Sequence, residues 1–333
     1  MRNINKIRGC LTGGAAGDAL GYAVEFLTKD KIFSMYGKKG ITEYSLRNGI
    51  AIISDDTQMT LFTANGLLIA DGRDYVDCIR EMYKCWYRTQ TESYPLPDKT
   101  ESFLTDIPEL FNKRSPGMTC MTEIKDGAKG TVKDPVNDSK GCGGVMRVAP
   151  VGLYFSDTET TYDQSDMIAA EAAALTHGHE LGYIPASALA HIVRLVTESD
   201  IPIKDAVRES IEAVEKLFPD AETLSEFTEL MQEAVTLSET ETDDLEAIYQ
   251  LGDGWVAEET LAIAVYCALK YKDDFDKAII ASVNHDGDSD STGAVCGNIL
   301  GAYLGYDAIP QKYKDSLELH DLILQLSDDL CKK

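Results

Sequence analysis

Two runs of glycine, one near each end of the chain, repeat with a spacing of four residues. They consist of Gly9, Gly13, Gly17 and Gly21, and of Gly293, Gly297, Gly301 and Gly305. On an α-helix this spacing places the glycines along one slowly drifting face, where a neighbouring backbone can approach closely. Each interior glycine costs about 1 kcal/mol relative to alanine, so packing must recover about 3 kcal/mol per helix. The repeats therefore predict two central helices packed at a short distance.

The rest of the chain also shows helical periodicity. In "ASALAHIVRLV" the residues Ala188, Ile192 and Val196 share one stripe, and "EETLAIAVYCALKY" repeats the pattern. Clear two-residue alternation over the length of a strand is hard to find. Residues 89–140 are interrupted by five prolines, which indicates connections around short helices, and long irregular regions of this kind are often functional. The patterns predict an all-α fold.

Composition narrows the class of protein further. The 333 residues leave the number of domains open, while 44% apolar residues suffice for a substantial core. A net charge of -25 argues against binding nucleic acid through its phosphates, so an anionic ligand would need bound metal or backbone N–H groups. The eight cysteines form no CxxC pair, and no stretch of 18 apolar residues occurs. We expect a cytoplasmic protein with reduced thiols and no membrane segment.

The acidic residues are concentrated in one part of the chain. Between Lys216 and Lys270 there is no lysine or arginine, and "ETETDDLE" at residues 239–246 is especially acidic. The simplest interpretation of this stretch is a solvated helix face or loop.

Two further acidic clusters each precede an apolar, helix-periodic segment. They are "SDDT" at residues 54–57 and "NHDGDSDSTG" at residues 284–293. The second resembles a calcium loop until Ser291 and Gly297 occupy the positions that need glycine and glutamate. Each cluster could serve only as a solvated helix cap. If the two meet in space, their carboxylates and hydroxyls would suit a pair of magnesium or manganese ions.

Three other features carry candidate chemistry. Glu25 follows the first glycine run and, taken alone, is typical of a surface glutamate. The loop "GCGGVMRVAP" at residues 141–150 matches neither nucleotide-binding fingerprint, but its N–H groups could bind a diphosphate, or it could be a plain tight turn. Arg147 is either a phosphate partner or part of a buried structural pair. His177 and His179 do not share a helical face, so one pocket histidine is more plausible than a zinc site.

Six motifs taken in order resemble those of the ADP-ribosylglycohydrolase family, which includes the dinitrogenase reductase activating glycohydrolases. They are "GCLTGGAAGDALGYAVE", "SDDTQMT", "GCGGVMRVAP", "ALTHGH", "GDGWVAEETLAIAVYCAL" and "NHDGDSDSTGAVCGNILGAYLG". They run from residue 8 to about residue 305 and so cover nearly the whole chain. The resemblance implies a compact, orthogonal bundle of α-helices that forms a single domain over residues 1–333. It also implies two Mg²⁺ or Mn²⁺ ions in a cleft.

The resemblance also assigns roles to individual residues. The implied metal ligands are Ser54, Asp55, Asp56, Asp288, Asp290 and Ser291. The implied catalytic residues are Glu25, Asp55, Asp56 and Asp290, with Glu25 acting as an acid, a base or a gate over the cleft. The expected substrate-binding residues are Asp55, Gly143, Gly144, Val145, Met146, His177 and Trp255. For Trp255 a place in the core is the alternative to stacking on the ligand. Cys142 departs from the family, which often has a polar residue at this position.

The implied activity is cleavage of the glycosidic bond of mono-ADP-ribosylated targets, above all ADP-ribosyl-arginine on proteins, with release of ADP-ribose. Other conjugates remain alternatives: serine-linked ADP-ribose, O-acetyl-ADP-ribose or modified nucleic acid. A non-catalytic binding or structural member is a third alternative, but it would be expected to have damaged metal ligands. All six implied ligand positions carry oxygen side chains. The expected partners are an ADP-ribosylated protein and ADP-ribose, with no membrane or nucleic acid.

Overall fold

A computed structural model describes residues 2–333 and contains fifteen α-helices. They are α1 Ile4–Gly21, α2 Lys29–Tyr36, α3 Asp55–Ile69, α4 Tyr75–Thr91, α5 Met118–Lys125, α6 Ala149–Phe155, α7 Tyr162–Ala174, α8 Glu180–Glu198, α9 Ile203–Leu217, α10 Leu224–Ser238, α11 Asp244–Leu251, α12 Ala257–Lys270, α13 Phe275–Val283, α14 Ser289–Leu304 and α15 His320–Cys331. Five short 3-10 helices lie at Phe103–Asp106, Pro108–Phe111, Cys142–Gly144, Tyr306–Ala308 and Gln311–Tyr313. Residues 2–333 form isolated bridges but no strand, so the all-α prediction is confirmed.

The two glycine-rich helices, α1 and α14, pack directly against each other at the centre. A Cβ atom added to Gly17 would lie 1.9 Å from the carbonyl oxygen of Gly293, and one added to Gly13 would lie 2.3 Å from that of Gly297. Gly9 faces Gly301 in the same way, at 2.1 Å. The pairing runs in opposite directions along the two helices, which are therefore antiparallel. The end of α1 consequently lies beside the start of α14.

The last glycine of the second run has a different role from the one that its spacing indicates. Gly305 follows α14 rather than lying within it, and its φ of 86° is in the left-handed region that favours glycine. Its N–H donates to the carbonyl oxygen of Gly301, 2.9 Å away, and so caps the helix. The contact face of α14 thus contains three glycines, and Gly21 at the end of α1 faces the carbonyl oxygen of Ser289 instead.

One buried apolar cluster joins the two ends of the chain, from Ile7 in α1 to Leu330 in α15. The organisation of residues 1–333 as a single domain stays a prediction. Among residues 2–333 no helix is both long enough and apolar enough to cross a membrane.

Two regions that stand out in the sequence, residues 89–140 and the stretch between Lys216 and Lys270, agree in part with what the sequence predicted. Residues 89–140 contain two of the 3-10 helices and the short α5, joined by irregular connections. The stretch without lysine or arginine forms α10, α11 and most of α12, and several of its acidic side chains are exposed on α10. It is therefore mainly helical, with one solvated acidic face.

We predict that Gly17→Ala lowers the free energy of unfolding by about 3 kcal/mol, because the new methyl group must push two packed backbones apart. Urea denaturation measures the change. Gly117→Ala is the matched control, since nothing lies within 4 Å of a Cβ at that position and its φ is not positive. We expect this control to change stability by less than about 0.5 kcal/mol. A Gly17→Ala protein as stable as the control would contradict the close approach of α1 and α14.

Candidate active site

Both acidic clusters lie at the start of a helix, and each provides that helix with its N-cap. The Ser54 hydroxyl accepts a hydrogen bond from the Asp56 N–H at 3.1 Å, which begins α3. The Asp288 carboxylate accepts one from the Ser291 N–H at 3.2 Å, which begins α14. Capping and a place in a site are compatible here, because Asp55 and Asp56 of the first cluster and Asp288 and Asp290 of the second line one cavity.

The cavity has a volume of about 180 Å³ and brings together most of the residues expected from the sequence. Those that line it are Glu25, Asp55, Asp56, Gly143, Met146, His177, Trp255, Asp288, Asp290 and Ser291. Ser54, Gly144 and Val145 do not line it. The roles assigned to all of these residues stay predictions, but the placement of the two junctions at one cavity agrees with a split metal site.

The residues outside the cavity wall have identifiable local roles. The Ser54 hydroxyl is completely buried and is engaged with the Asp56 N–H. The Val145 N–H donates to the Cys142 carbonyl oxygen at 3.0 Å, within the 3-10 turn, so it is not free for a ligand. Gly144 packs against the backbone of Gly182, where a Cβ would lie 2.7 Å from the carbonyl oxygen.

Asp18, which was not predicted from the sequence as a site residue, connects α1 to the start of α3. Its fully buried carboxylate accepts hydrogen bonds from the Ser54 N–H at 2.9 Å, the Thr57 N–H at 3.1 Å and the Thr57 hydroxyl. Burial raises the pKa of Asp18 to about 6, although these hydrogen bonds favour the charged form. The sequence does contain one signal for Asp18: it is the only carboxylate in α1, and glycine and apolar residues surround it there. Asp18 fixes where the first acidic cluster sits relative to α1.

Three carboxylates in the cavity are close enough to share a cation. One oxygen each from Glu25, Asp288 and Asp290 lie within 4.8 Å of one another. Glu25 Oε2 and Asp56 Oδ2 are buried and accept no hydrogen bond among residues 2–333. Unpaired buried carboxylate oxygens are costly, and a divalent cation with hard oxygen ligands would offset that cost. The donor set therefore fits the expected magnesium or manganese, with Glu25 as an additional oxygen near the predicted ligands.

The electrostatics of the cavity reflect this crowding. Burial, followed by the charges of Asp288 and Asp55, raises the pKa of Glu25 to about 9. Burial also raises the pKa of Asp55 to about 8, and it raises the pKa values of Asp56 and Asp290 well above the usual range for aspartate. The raised pKa values favour the protonated forms of these four carboxyl groups at neutral pH, and a bound cation would replace the protons.

The segment between α4 and α5 supplies a wall that the sequence did not specify. The Gly117 N–H donates to Asp55 Oδ2 at 3.2 Å, and the Asp55 N–H donates to the Arg114 carbonyl oxygen at 3.0 Å. Ser115 from this segment also lines the cavity, as do Met118, Thr119 and Cys120 at the start of α5. The irregular region 89–140 thus orients one of the expected metal ligands.

The glycine loop forms the opposite wall, and it is held by a short backbone pairing with the segment before α12. The Cys142 N–H donates to the Trp255 carbonyl oxygen at 3.2 Å, and Gly141 forms a bridge with Val256. His177 packs against this loop, since a Cβ on Gly143 would lie 2.8 Å from its ring. Burial, with a further effect of Arg147, lowers the pKa of His177 to about 3, so its ring is neutral.

Arg147 is a buried structural cation rather than a phosphate partner. Its guanidinium donates to the Thr176 hydroxyl at 2.7 Å and to the Ala172 carbonyl oxygen at 3.1 Å. It also lies 4.3 Å from the centre of the Tyr83 ring, a cation–π contact. The side chain is completely buried and does not line the cavity.

Two side chains distinguish this cavity further. The Cys142 thiol donates to Asp288 Oδ2 at 2.8 Å, so the unusual cysteine contacts an expected metal ligand. Trp255 is 43% exposed and stacks on the exposed Phe26, with ring centres 6.1 Å apart. The tryptophan therefore lies at the rim of the cavity and not in the core. Phe26 was not assigned from the sequence, although it directly follows Glu25.

Comparison with known proteins shows which family this chain belongs to. The family model described as ADP-ribosylglycohydrolase matches residues 1–333. The chain belongs to the ADP-ribosylglycohydrolase family. A solved "ADP-ribosylglycohydrolase-related protein complex" has a TM-score of 0.67 at 24% identity, covering 99% of this chain and 98% of that one, which supports the shared fold.

Three named relatives are similar to this chain over most of their length. ADP-ribosylhydrolase ARH3 of Mus musculus is 25% identical over 95% of this chain and 88% of its own. ADP-ribosyl-[dinitrogen reductase] glycohydrolase of Rhodospirillum rubrum is 26% identical over 93% and 90%. ADP-ribosylarginine hydrolase Tri1 of Serratia proteamaculans is 25% identical over 98% and 79%. The expected resemblance and the enzyme class, a glycohydrolase, are confirmed.

We predict that Asp18→Asn lowers metal affinity about 10-fold or more, although residue 18 is not an expected ligand. The amide keeps one acceptor oxygen but turns an NH₂ group toward the backbone donors of Ser54 and Thr57, so the start of α3 shifts. Isothermal titration with Mn²⁺ measures the affinity, and circular dichroism checks the fold. Asp328→Asn, on the partly exposed ion pair with Arg8, is the control and should bind Mn²⁺ normally. Equal affinity in Asp18→Asn would remove its positioning role.

We predict that Mg²⁺ or Mn²⁺ raises the melting temperature more at about pH 8 than at about pH 5. The folded-state pKa values of Glu25 and Asp55 are raised, so their contribution to stability is present below their unfolded values near pH 4 and is lost as pH rises through about 8 to 9. Cations restore that loss by binding the deprotonated carboxylates. Thermal unfolding with metal and with chelator measures both effects. A metal effect of equal size in an Asp55→Ala plus Asp290→Ala variant would place the cation elsewhere.

Proposed function

We propose that this protein removes mono-ADP-ribose from modified proteins, with ADP-ribosyl-arginine as its principal substrate, by metal-dependent hydrolysis. The observation that carries the proposal is the meeting of Glu25, the two acidic helix starts and the glycine loop at one cavity. Family membership supports the glycohydrolase activity, and the observations below support the finer assignment.

The name of one relative supports the arginine linkage, and the name of another supports a protein target. The Serratia proteamaculans relative is named for ADP-ribosylarginine, and the Rhodospirillum rubrum relative for an ADP-ribosylated protein, dinitrogen reductase. ARH3, at similar identity, keeps other ADP-ribose conjugates as the second candidate, including serine-linked ADP-ribose, O-acetyl-ADP-ribose and modified nucleic acid. A non-catalytic role has no support in the site, where every expected ligand carries oxygen. The eight free cysteines support a cytoplasmic location as part of this proposal.

Two Mg²⁺ or Mn²⁺ ions would be held by Ser54, Asp55, Asp56, Asp288, Asp290 and Ser291. When bound, such ions lower the pKa of a bound water and orient hydroxyl groups of the substrate. The protein's own contribution is to hold this oxygen set within a buried cavity, so that the interactions are little screened by water. Of the six, only Ser54 lies outside the cavity wall, with its hydroxyl already engaged in capping α3.

We assign Glu25 as the general acid and base. Its Oε2 atom is unpartnered and buried at the cavity, and burial raises the pKa of the carboxyl group, which favours the protonated form that a general acid needs. That proton can pass to the leaving nitrogen as the bond to the anomeric carbon breaks and oxocarbenium character develops. The resulting carboxylate can then accept a proton from the attacking water. Asp290 lies beside Glu25, with one carboxylate oxygen of each within 4.8 Å of the other.

The remaining lining residues suit the rest of the ligand. The cavity volume of about 180 Å³ is small for a ligand pocket, so it suits the reacting ribose. The diphosphate would lie along the glycine loop, beside Gly143 and the neutral His177. The exposed Phe26 and Trp255 rings at the rim offer flat apolar faces for the adenine. The product of the reaction is free ADP-ribose.

The proposal predicts release of ADP-ribose from arginine-modified protein with Mg²⁺ or Mn²⁺ and its loss in chelator. Serine-linked substrate assayed in parallel distinguishes the two candidate linkages. Glu25→Gln should lower kcat about 10²- to 10⁴-fold, because the amide can neither donate nor accept the required proton. Glu209→Gln, an exposed residue of α9, is the control and should keep full activity. Undiminished release in chelator, or in an Asp55→Ala plus Asp290→Ala variant, would refute the metal-dependent mechanism.

A further inference from the structure

An acidic groove with a volume of about 650 Å³ lies next to the candidate active site, between α10, α11 and the start of α12. Its charged lining consists of one lysine, Lys140, and five glutamates, Glu226, Glu229, Glu233, Glu258 and Glu259. The groove therefore carries a strong excess of negative charge. It belongs to the stretch whose lack of lysine and arginine was apparent in the sequence.

Three of the glutamates form one face of α10, because their spacing of three and four residues places them along the same side of a helix. Glu226, Glu229 and Glu233 are all exposed. Within residues 2–333, Glu229 and Glu233 form no ion pair, whereas Glu226 lies 3.6 Å from the ammonium group of Lys140. Two like charges one helical turn apart repel each other, so a cationic ligand would relieve them.

Glu258 is the second, independent indication of a ligand. Its side chain is only 3% exposed, and one carboxylate oxygen accepts a hydrogen bond from Lys140. The other oxygen, Oε2, is buried and has no hydrogen-bond partner. A buried carboxylate oxygen without a donor costs free energy, and a guanidinium or ammonium group entering the groove could supply that donor.

The groove and the active-site cavity share a wall. This wall is the backbone pairing of residues 140–142 with residues 255–257, in which the Ala257 N–H donates to the Lys140 carbonyl oxygen at 2.8 Å. Gly141, Cys142 and Trp255 face the cavity. Lys140 and Glu258, on the same short segments, face the groove. A polypeptide whose modified side chain enters the cavity can therefore reach the groove within a few residues.

We propose that this groove binds a basic segment of the substrate polypeptide, rich in arginine or lysine, next to the ADP-ribosylated residue. The carboxylates of α10 supply the charge, and Glu258 supplies a desolvated acceptor. Tyr249, 79% exposed at the edge of the groove, can cover the apolar stem of a long basic side chain. The position of the segment relative to the modified residue rests on the proposed function, whereas binding of an unmodified basic segment does not.

The first test measures direct binding of a labelled, unmodified arginine-rich peptide to the protein. Fluorescence anisotropy at low salt gives the affinity. We expect Glu229→Gln plus Glu233→Gln to weaken binding about fivefold. Glu209→Gln plus Glu215→Gln, two exposed residues of α9, removes the same charge away from the groove and should leave affinity unchanged. An equal loss in both double variants would show attraction by overall charge alone and would overturn the proposal. Absence of peptide binding to the wild-type protein would also overturn it.

The second test is steady-state hydrolysis of ADP-ribosylated peptides with basic or neutral flanking residues. The groove double variant should raise KM about fivefold for the basic peptide only, with kcat unchanged, because the catalytic residues are intact. Identical KM values for both peptides in both proteins would refute the groove while leaving the proposed function standing. Failure to hydrolyse any peptide would instead count against the proposed function, and peptide binding would still decide the role of the groove.

Discussion

The close contact of α1 and α14 is the constraint on which the rest of the molecule depends. Glycine at the contact positions lets carbonyl oxygens of one helix occupy the space where side chains of the other would begin. The relative position of the helices is thus set by backbone atoms, which have little freedom to rearrange. Because the helices are antiparallel, the start of α14 lies beside the end of α1, where Glu25 follows. Asp18 then attaches the start of α3 to the same helix.

Electrostatic repulsion is the cost of this arrangement. Buried carboxylates from both helix starts crowd one small cavity, and their pKa values are raised accordingly. Such a site is poorly suited to an empty, fully ionised state and well suited to divalent cations. The same physical principle operates outside the cavity, where α10 carries unpaired glutamates beside Glu258. If both proposals hold, one acidic protein would bind an anionic nucleotide through metal ions and a cationic peptide through its surface.

The parts of the structure that depend on local pattern could be predicted from the sequence. Helical periodicity gave the all-α class, and the glycine spacing indicated the central helix pair. Long-range contacts that leave no repeating pattern in the sequence could not be predicted in this way. Asp18 lies among glycines and apolar residues, and nothing local shows that its partners are Ser54 and Thr57. Gly305 fits the spacing but ends the helix, because a regular interval in sequence does not reveal where a helix stops.

The candidate site likewise has parts that could be predicted from the sequence and parts that could not. Carboxylates at two helix starts could be named from their motifs, whereas the wall around Gly117 and the rim residue Phe26 come from segments without a distinctive pattern. Val145 falls within the glycine motif, yet its N–H already donates to the Cys142 carbonyl oxygen within the turn that the motif forms. Trp255 could have been a core residue by composition. Its exposure follows from the backbone pairing with Cys142, which holds residue 255 at the surface.

The antiparallel helix pair also has a consequence for how the protein acquires its site. The first acidic cluster and the second are separated by more than two hundred residues, so their meeting requires closure of a very long loop. During synthesis the ribosome releases α1 and α3 long before α14 exists. A growing chain consequently has only the first of the two acidic clusters, and it lacks α14, which begins with the second cluster and packs against α1. Assembly of the site therefore awaits the emergence of the last glycine run, and it becomes one of the final events of folding.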